Sequence, residues 1–276
     1  MAELPAAICI ASSCGELTAF SHGGQVVGWR PRGEDHGVLW LSPRVVLDST
    51  VAIRGGVPVC FPWFGPGVSG DMTPAHGFAR MSEWTIDEVT ESDEQLHLRM
   101  SLDSVTSELF PYDYHIALGA QAADDLRICL DVTNRDARPF TIEEALHAYL
   151  HVGDIERIRI LGLDGATFVD KTRDGQVAEQ SGDLVLTAET DRAYVSTSSV
   201  DVVDPVLRRT LRVDKEGSAS TIVWNPWATK AAAMSDIGEE SWKTFVCVEA
   251  GNVLDRAITI DPGETHRLTY RLSVLR

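Results

Sequence analysis

The chain has 276 residues, 44% of them hydrophobic, and its 41 Asp and Glu outweigh 24 Lys and Arg to give a formal net charge of −17. That length can bury a large core without disulfides or metals, and the acidic balance argues against nucleic acid, which demands a broad basic face. No apolar run reaches the roughly 18–20 residues of a membrane helix, and the five scattered cysteines form no CxxC pair, so neither a membrane partner nor a zinc or redox motif is expected.

The first residues, "MAELPAAICIASSCG", lack a basic region ahead of their short apolar stretch. They do not read as a signal peptide, and a reduced, cytoplasmic protein is expected. Residues 54–65, "RGGVPVCFPWFG", set Arg54 against a wall of Gly, Pro and aromatic residues. Gly55 and Gly56 allow a bend behind the arginine, and Pro58 and Pro62 limit its relaxation. A second Gly/Pro-marked segment, "PAHGFAR", carries His76 and Arg80.

From residue 95 strand patterns dominate. "QLHLRM" (95–100) alternates, and "DSVTSELFP" (103–111) reads as one short helix with Asp103 as N-cap and Pro111 as stop. Residues 115–136 read as two strands joined near Asp124–Asp125. "TIEEALHAYLHV" (141–152) has helix-forming Ala and Glu, but its alternation favours a strand with His147, Tyr149 and His151 on one face. "IERIRILGL", "PVLRRTLRV", "STIVWNP" and "TFVCVEAG" are further short strands, and "RLTYRLSVL" (267–275) alternates strictly. Many short strands, no linker and no repeat predict an all-β protein, a large antiparallel β-sandwich forming a single domain over residues 1–276.

Histidine is the side chain best suited to proton transfer near neutrality. His22, His36, His97, His115 and His266 sit in turns or alternating runs and are expected to face solvent, whereas His76, His147 and His151 stand in distinctive segments. Glu249 closes the apolar run "FVCVEAGNV", where burial raises a carboxyl pKa and tunes it as a base. "WNPWATKAAAMSD" (224–236) joins Trp224 and Trp227 to Lys230 and Asp236, a grouping that suits a sugar's C–H faces and hydroxyls, although clustered tryptophans also build cores. "ETDRAY" (189–194) adds Asp191 and Arg192, by themselves readable as a surface ion pair. GxGxxG, Walker, HExxH and GxSxG patterns are absent, so no nucleotide cofactor, zinc proteolysis or serine hydrolysis has support.

In this order, "IRGGVPVCFPWFG", "PAHGFAR", "ALHAYLHVGDI", "ETDRAY", "WNPWATKAAAMSD" and "VCVEAGNV" resemble the hexose-6-phosphate mutarotases (glucose-6-phosphate 1-epimerases) of the aldose 1-epimerase superfamily. The segments run from residue 53 to 253 and so span most of the chain. The resemblance implies a galactose mutarotase-like β-supersandwich and anomer interconversion without metal or redox cofactor. By motif position it implies Glu249 as general base and His147 as general acid, their pKa values held apart, with His76 at the reacting end of the sugar. It further implies Arg54 and Arg80 at the 6-phosphate, whose oxygens a planar guanidinium fork can pair. Asp191 would orient hydroxyls, with Trp227 and Lys230 near the rim. Ala250 stands where a proline is common in such proteins, and His151, one strand repeat from His147, is the alternative acid. The partner implied is a small hexose phosphate, acted on by a monomer. A mutarotase for unphosphorylated aldoses, a non-catalytic sugar-phosphate binder and a glycoside hydrolase are the rival readings, the last weakened by the lack of a second well-placed carboxylate.

Overall fold

Alternating side chains become buried faces in the structure, a computed structural model that describes residues 5–105 and 107–276. An eight-stranded antiparallel sheet runs in the order Arg159–Leu161, Val200–Asp204, Arg209–Glu216, Thr265–Leu275, Asp125–Asn134, Tyr114–Ala122, Leu96–Asp103 and Thr85–Glu91. Leu96, Leu98, Met100 and Leu102 turn inward while Arg99 and Asp103 face out, as period-2 geometry requires. Its edge strand Thr85–Glu91 is exposed throughout and carries Asp87, Glu88 and Glu91, charges that discourage edge-to-edge pairing.

The second eight-stranded sheet orders Gln176–Glu179, Thr167–Asp170, Thr190–Val195, Ser220–Asn225, Phe245–Asn252, Glu144–Leu146 and Val59–Cys60, with Tyr149–His151 also paired to Phe245–Asn252. Facing apolar side chains join the two sheets in one core, which includes Leu118, Ile128 and Leu268 from the first and Leu146, Val246 and Val248 from the second. Tyr270 reaches across this interface, its hydroxyl donating to Val248 O at 3.1 Å. A three-stranded sheet (Ala7–Ser12, Gly15–Phe20, Gln25–Pro31) and a pair (Phe140–Ile142, Ile258–Ile260) complete the all-β architecture. Among the described residues, no helix is long and apolar enough to cross a membrane.

Three expectations change. No helix forms over the described part of 103–111: Asp103 ends a strand and Glu108–Phe110 turn, while residue 106 lies outside the described residues. Phe110 is buried against Phe61, Tyr114 and Phe140, and this aromatic packing overrides local helix propensity. The segment 141–152 is three short strands rather than one, with His147 and Ala148 in a break. His22 is buried, with Nε2 2.8 Å from Val51 O.

Gly77 illustrates how tightly the two Gly/Pro segments are joined. It has φ +71, and a Cβ there would lie 1.9 Å from Phe61 O. The close approach lets Phe78 N donate to Phe61 O at 3.0 Å and His76 N to Gly65 O at 2.7 Å. Gly77→Ala is expected to lower stability by roughly 2–5 kcal/mol through backbone strain and overpacking, read by denaturant unfolding. A midpoint equal to the parent's would show that this junction relaxes freely.

Glu144 is fully buried and meets His266 Nε2 at 2.9 Å. Burial of the imidazole opposes its charge, yet the hydrogen bond and charge of Glu144, helped by Gly217 O and Asp131, leave its pKa raised. A raised folded pKa stabilises fully below the ordinary value of about 6.5, and the contribution is lost as pH rises through the folded value. Stability across that window should therefore decline more steeply in the parent than in His266→Gln, as urea midpoints measured in pH steps would reveal. Parallel pH profiles would contradict the coupling.

Candidate active site

The second sheet carries a cavity of about 350 Å³ on the side away from the core, lined by Arg54, Phe64, His76, Arg80, His147, Lys171, Asp191, Trp224, Lys230 and Glu249 among others. Its deepest acid comes from a central strand. Every residue of Phe245–Asn252 is buried, and alternation puts Cys247 and Glu249 on the face opposite Val246 and Val248, with a donor atom of each within 4.8 Å of the other. Glu249 stands opposite Ile222, and His147 comes from the strand break next to it.

His147 Nδ1 lies 3.4 Å from Glu249 Oε1, with both side chains nearly or wholly shielded from solvent. Among the described residues, neither Glu249 oxygen nor His147 Nδ1 has a hydrogen-bond partner. Buried polar groups are ordinarily satisfied, so this cluster points to a ligand that completes it. Burial pushes the Glu249 pKa well up, opposed by Lys171 and Arg80 and reinforced by Asp191. Burial pushes the His147 pKa well down, reinforced by Arg80 and Arg54. Both shifts have one principal cause, a dry pocket that disfavours the charged form of each group.

Packing fixes the His147 ring. It stacks on Tyr149 with centroids 4.9 Å apart at 12°, and meets Trp224 and His76 edge-on at 5.9 and 5.6 Å. The His147 backbone N–H donates to Pro58 O at 3.0 Å, tying the residue to the Gly/Pro segment. His76 adopts φ 65, and its Nδ1 accepts from Gly65 N at 3.2 Å with the Cys60 thiol 3.5 Å away. A backbone N–H can only donate, so the neutral ring carries its proton on Nε2. Enclosure depresses the His76 pKa, with Arg80 and His147 adding to the effect, so the ring is a neutral donor.

The cations are tied to different degrees. Arg54 donates from Nε to Asp236 Oδ2 and from Nη1 to Tyr149 OH, both at 2.9 Å. It thereby braces the ring on which His147 stacks. Arg80 gives one N–H to Ala75 O at 2.7 Å and leaves a buried Nε without a partner among the described residues. Lys171 sits 3.6 Å from Asp191 and 4.1 Å from the centre of the Phe64 ring, and Lys230 pairs with Glu189 at 2.7 Å.

Of the residues expected at a site, Arg54, His76, Arg80, His147, Asp191 and Glu249 converge on this cavity. Trp227 does not join them: it opens the short helix Trp227–Ala232 and packs on Trp242 with centroids 4.6 Å apart, leaving Trp224 as the indole in the cavity wall. Asp191 and Arg192 are not an ion pair. Adjacent strand residues face opposite ways, so Asp191 meets Lys171 and Arg192 meets Asp170 at 3.3 Å. His151 bonds Gly37 O through Nδ1 at 3.1 Å and lies outside the lining. Lys171 had no motif to announce it, since the Phe168–Tyr194 pairing that brings it to Asp191 spans distant segments.

A family model described as "Aldose 1-epimerase" matches residues 7–273. A protein of Cenchrus ciliaris named "Putative glucose-6-phosphate 1-epimerase" is 33% identical over 276 residues, covering 95% of this chain and 82% of the relative. A protein of the same name from Escherichia coli (strain K12) is 35% identical over 231 residues, or 82% and 76% of the two chains. Among solved structures, one described as a "putative mutarotase" from Salmonella typhimurium superposes with a TM-score of 0.89 at 30% identity, covering 98% of this chain and 90% of the other. A Clostridium acetobutylicum structure described as galactose mutarotase-like shares the fold with a TM-score of 0.75 at 14% identity, over 98% and 95% of the chains.

Proposed function

The chain belongs to the aldose 1-epimerase family and is an isomerase, and from that premise we propose that it interconverts the α and β anomers of a hexose 6-phosphate, glucose 6-phosphate foremost. The observation that carries this reading is the unpartnered Glu249–His147 pair on the floor of a cavity that four cationic side chains also line. The names of the relatives favour the same substrate.

In this reaction Glu249 takes the proton of the anomeric O1 hydroxyl while His147 delivers one to the ring oxygen. The C1–O5 bond breaks, O1 becomes the carbonyl oxygen, and O5 leaves as a hydroxyl. Rotation about C1–C2 offers the other carbonyl face, and closure returns both protons with acid and base exchanged. The pair holds one proton throughout, as carboxylate beside imidazolium before opening and as carboxyl beside imidazole after it.

His76 acts as a fixed Nε2–H donor to the oxygens at the reacting end, and Asp191 accepts from sugar hydroxyls. Trp224, in place of Trp227, offers the indole face for sugar C–H groups. Arg80 and Lys171, with the remaining Nη2 of Arg54 and with Lys230 at the rim, draw the phosphate into a chain whose net charge otherwise repels it. Charge-assisted hydrogen bonds contribute about 1.5–3 kcal/mol each.

The test follows from that figure. Arg80→Ala and Lys171→Ala should each raise KM for glucose 6-phosphate by ~10-fold or more, with kcat/KM for free glucose close to the parent's. Arg54→Ala should harm both sugars, because it also frees Tyr149 and Asp236. Equal losses on both sugars for all three variants would favour an unphosphorylated aldose as the substrate.

A further inference from the structure

Cys247 takes no part in the anomer chemistry, yet it is fully buried on the same strand face as Glu249, two residues away. One donor atom each from His147, Cys247 and Glu249 lies within 4.8 Å of the others. We propose that these three side chains form a binding site for a borderline-soft divalent cation, Zn²⁺ in chemical class, and that occupancy shuts the active site.

The donor set selects this ion class. Imidazole, thiolate and carboxylate are each zinc ligands, and three protein ligands leave the fourth tetrahedral position open. Zn–N, Zn–O and Zn–S bonds of about 2.0–2.3 Å separate tetrahedral donors by about 3.4–3.6 Å. Donors within 4.8 Å of one another therefore need only close by about an ångström, a shift within side-chain rotation. Hard Mg²⁺ and Ca²⁺ prefer oxygen shells that one carboxylate cannot supply.

A further observation points to a cation at this place. Both Glu249 oxygens and His147 Nδ1 are buried without partners, so they are donors already stripped of water. Charge closes as well: a divalent ion, a carboxylate, a thiolate and a neutral imidazole sum to zero, the least costly total for a dry pocket. The ion enters through the cavity, which Glu249 and His147 line, and Cys247 completes its shell from behind. Bound there, it holds the two groups that must exchange protons and points its open coordination site at the sugar, so inhibition competes with substrate.

The spectroscopic arm of the test is independent of the proposed mutarotase activity, and the inhibition arm rests on it. In a parent with Cys9→Ser and Cys129→Ser, which removes the less buried thiols, Co²⁺ titration should reach one ion per chain. It should bring thiolate-to-metal charge-transfer absorption that Zn²⁺ displaces and that Cys247→Ala and Cys247→Ser both abolish. Zn²⁺ should inhibit anomer exchange competitively, Mg²⁺ should not, and either Cys247 variant should weaken inhibition by at least ~10-fold while keeping the metal-free rate. Charge-transfer bands that are absent from the parent, or that persist without Cys247, would overturn the proposal, as would Zn²⁺ inhibition indifferent to Cys247. A chain that shows the bands but no exchange would keep the metal site and overturn the mutarotase reading.

Discussion

Replacing Glu249 with glutamine is expected to slow α/β exchange by ~10²–10⁴-fold, the range for a positioned general base, without loss of the fold. Glutamine matches the volume of glutamate but cannot take the proton from O1. The carboxyl lies near Cys247 and the His147 ring with neither oxygen satisfied among the described residues, so it contributes little to folding. Removing a group that ionises at such cost should leave the melting temperature unchanged or raise it. Lost activity with retained or increased stability is the signature of a residue kept for chemistry. Full activity, or a lower melting temperature with proportionate loss of active protein, would make Glu249 structural.

His147→Asn is expected to cost a similar ~10²–10⁴-fold, mostly in kcat, because asparagine cannot protonate the ring oxygen. Asparagine also loses the stack on Tyr149, so the parallel variant Tyr149→Phe separates positioning from proton transfer. Phenylalanine keeps the stack and drops only the hydroxyl that Arg54 holds, and its loss should be much smaller. The double variant Glu249→Gln/His147→Asn should be hardly slower than either single one, because the pair moves protons as a unit. His151→Asn should stay near the parent rate, since its ring is bonded to Gly37 O away from the cavity. If His151→Asn were the damaging change, the acid would be misassigned.

Much of this arrangement was readable from residue order, and the reasons differ by segment. Alternation in "RLTYRLSVL" and "QLHLRM" needs only one inward face, so the strands Thr265–Leu275 and Leu96–Asp103 appear where the pattern sets them. "RGGVPVCFPWFG" read as a stiff wall behind Arg54. In the structure its stiffness comes from partners outside it: Trp63 Nε1 donates to Pro74 O at 2.8 Å, Phe64 N to a Glu143 oxygen at 3.2 Å, and Gly56 presses on Val26. The arginine it holds is already engaged by Asp236 and Tyr149, a fact that no local pattern carries.

What stayed hidden depended on pairings distant in sequence. Lys171 reaches the cavity because the strand Thr167–Asp170 lies beside Thr190–Val195, and neither strand announces the other. Trp224 and Trp227 are three residues apart in one motif, but a strand ends between them and a helix starts, so only the first remains at the cavity. The break at His147 is likewise invisible to periodicity. It shows only when Pro58 O takes the His147 N–H and the strand Tyr149–His151 pairs separately with Phe245–Asn252.

Two-dimensional exchange NMR on equilibrated glucose 6-phosphate, run beside free glucose at the same catalytic concentration of the chain, tests the central claim most directly. The account predicts fast α/β cross-peaks with the phosphorylated sugar, weaker exchange with glucose, and exchange slowed by ~10²–10⁴-fold in Glu249→Gln. Exchange of glucose 6-phosphate no faster than in buffer, or undiminished in Glu249→Gln, would contradict it.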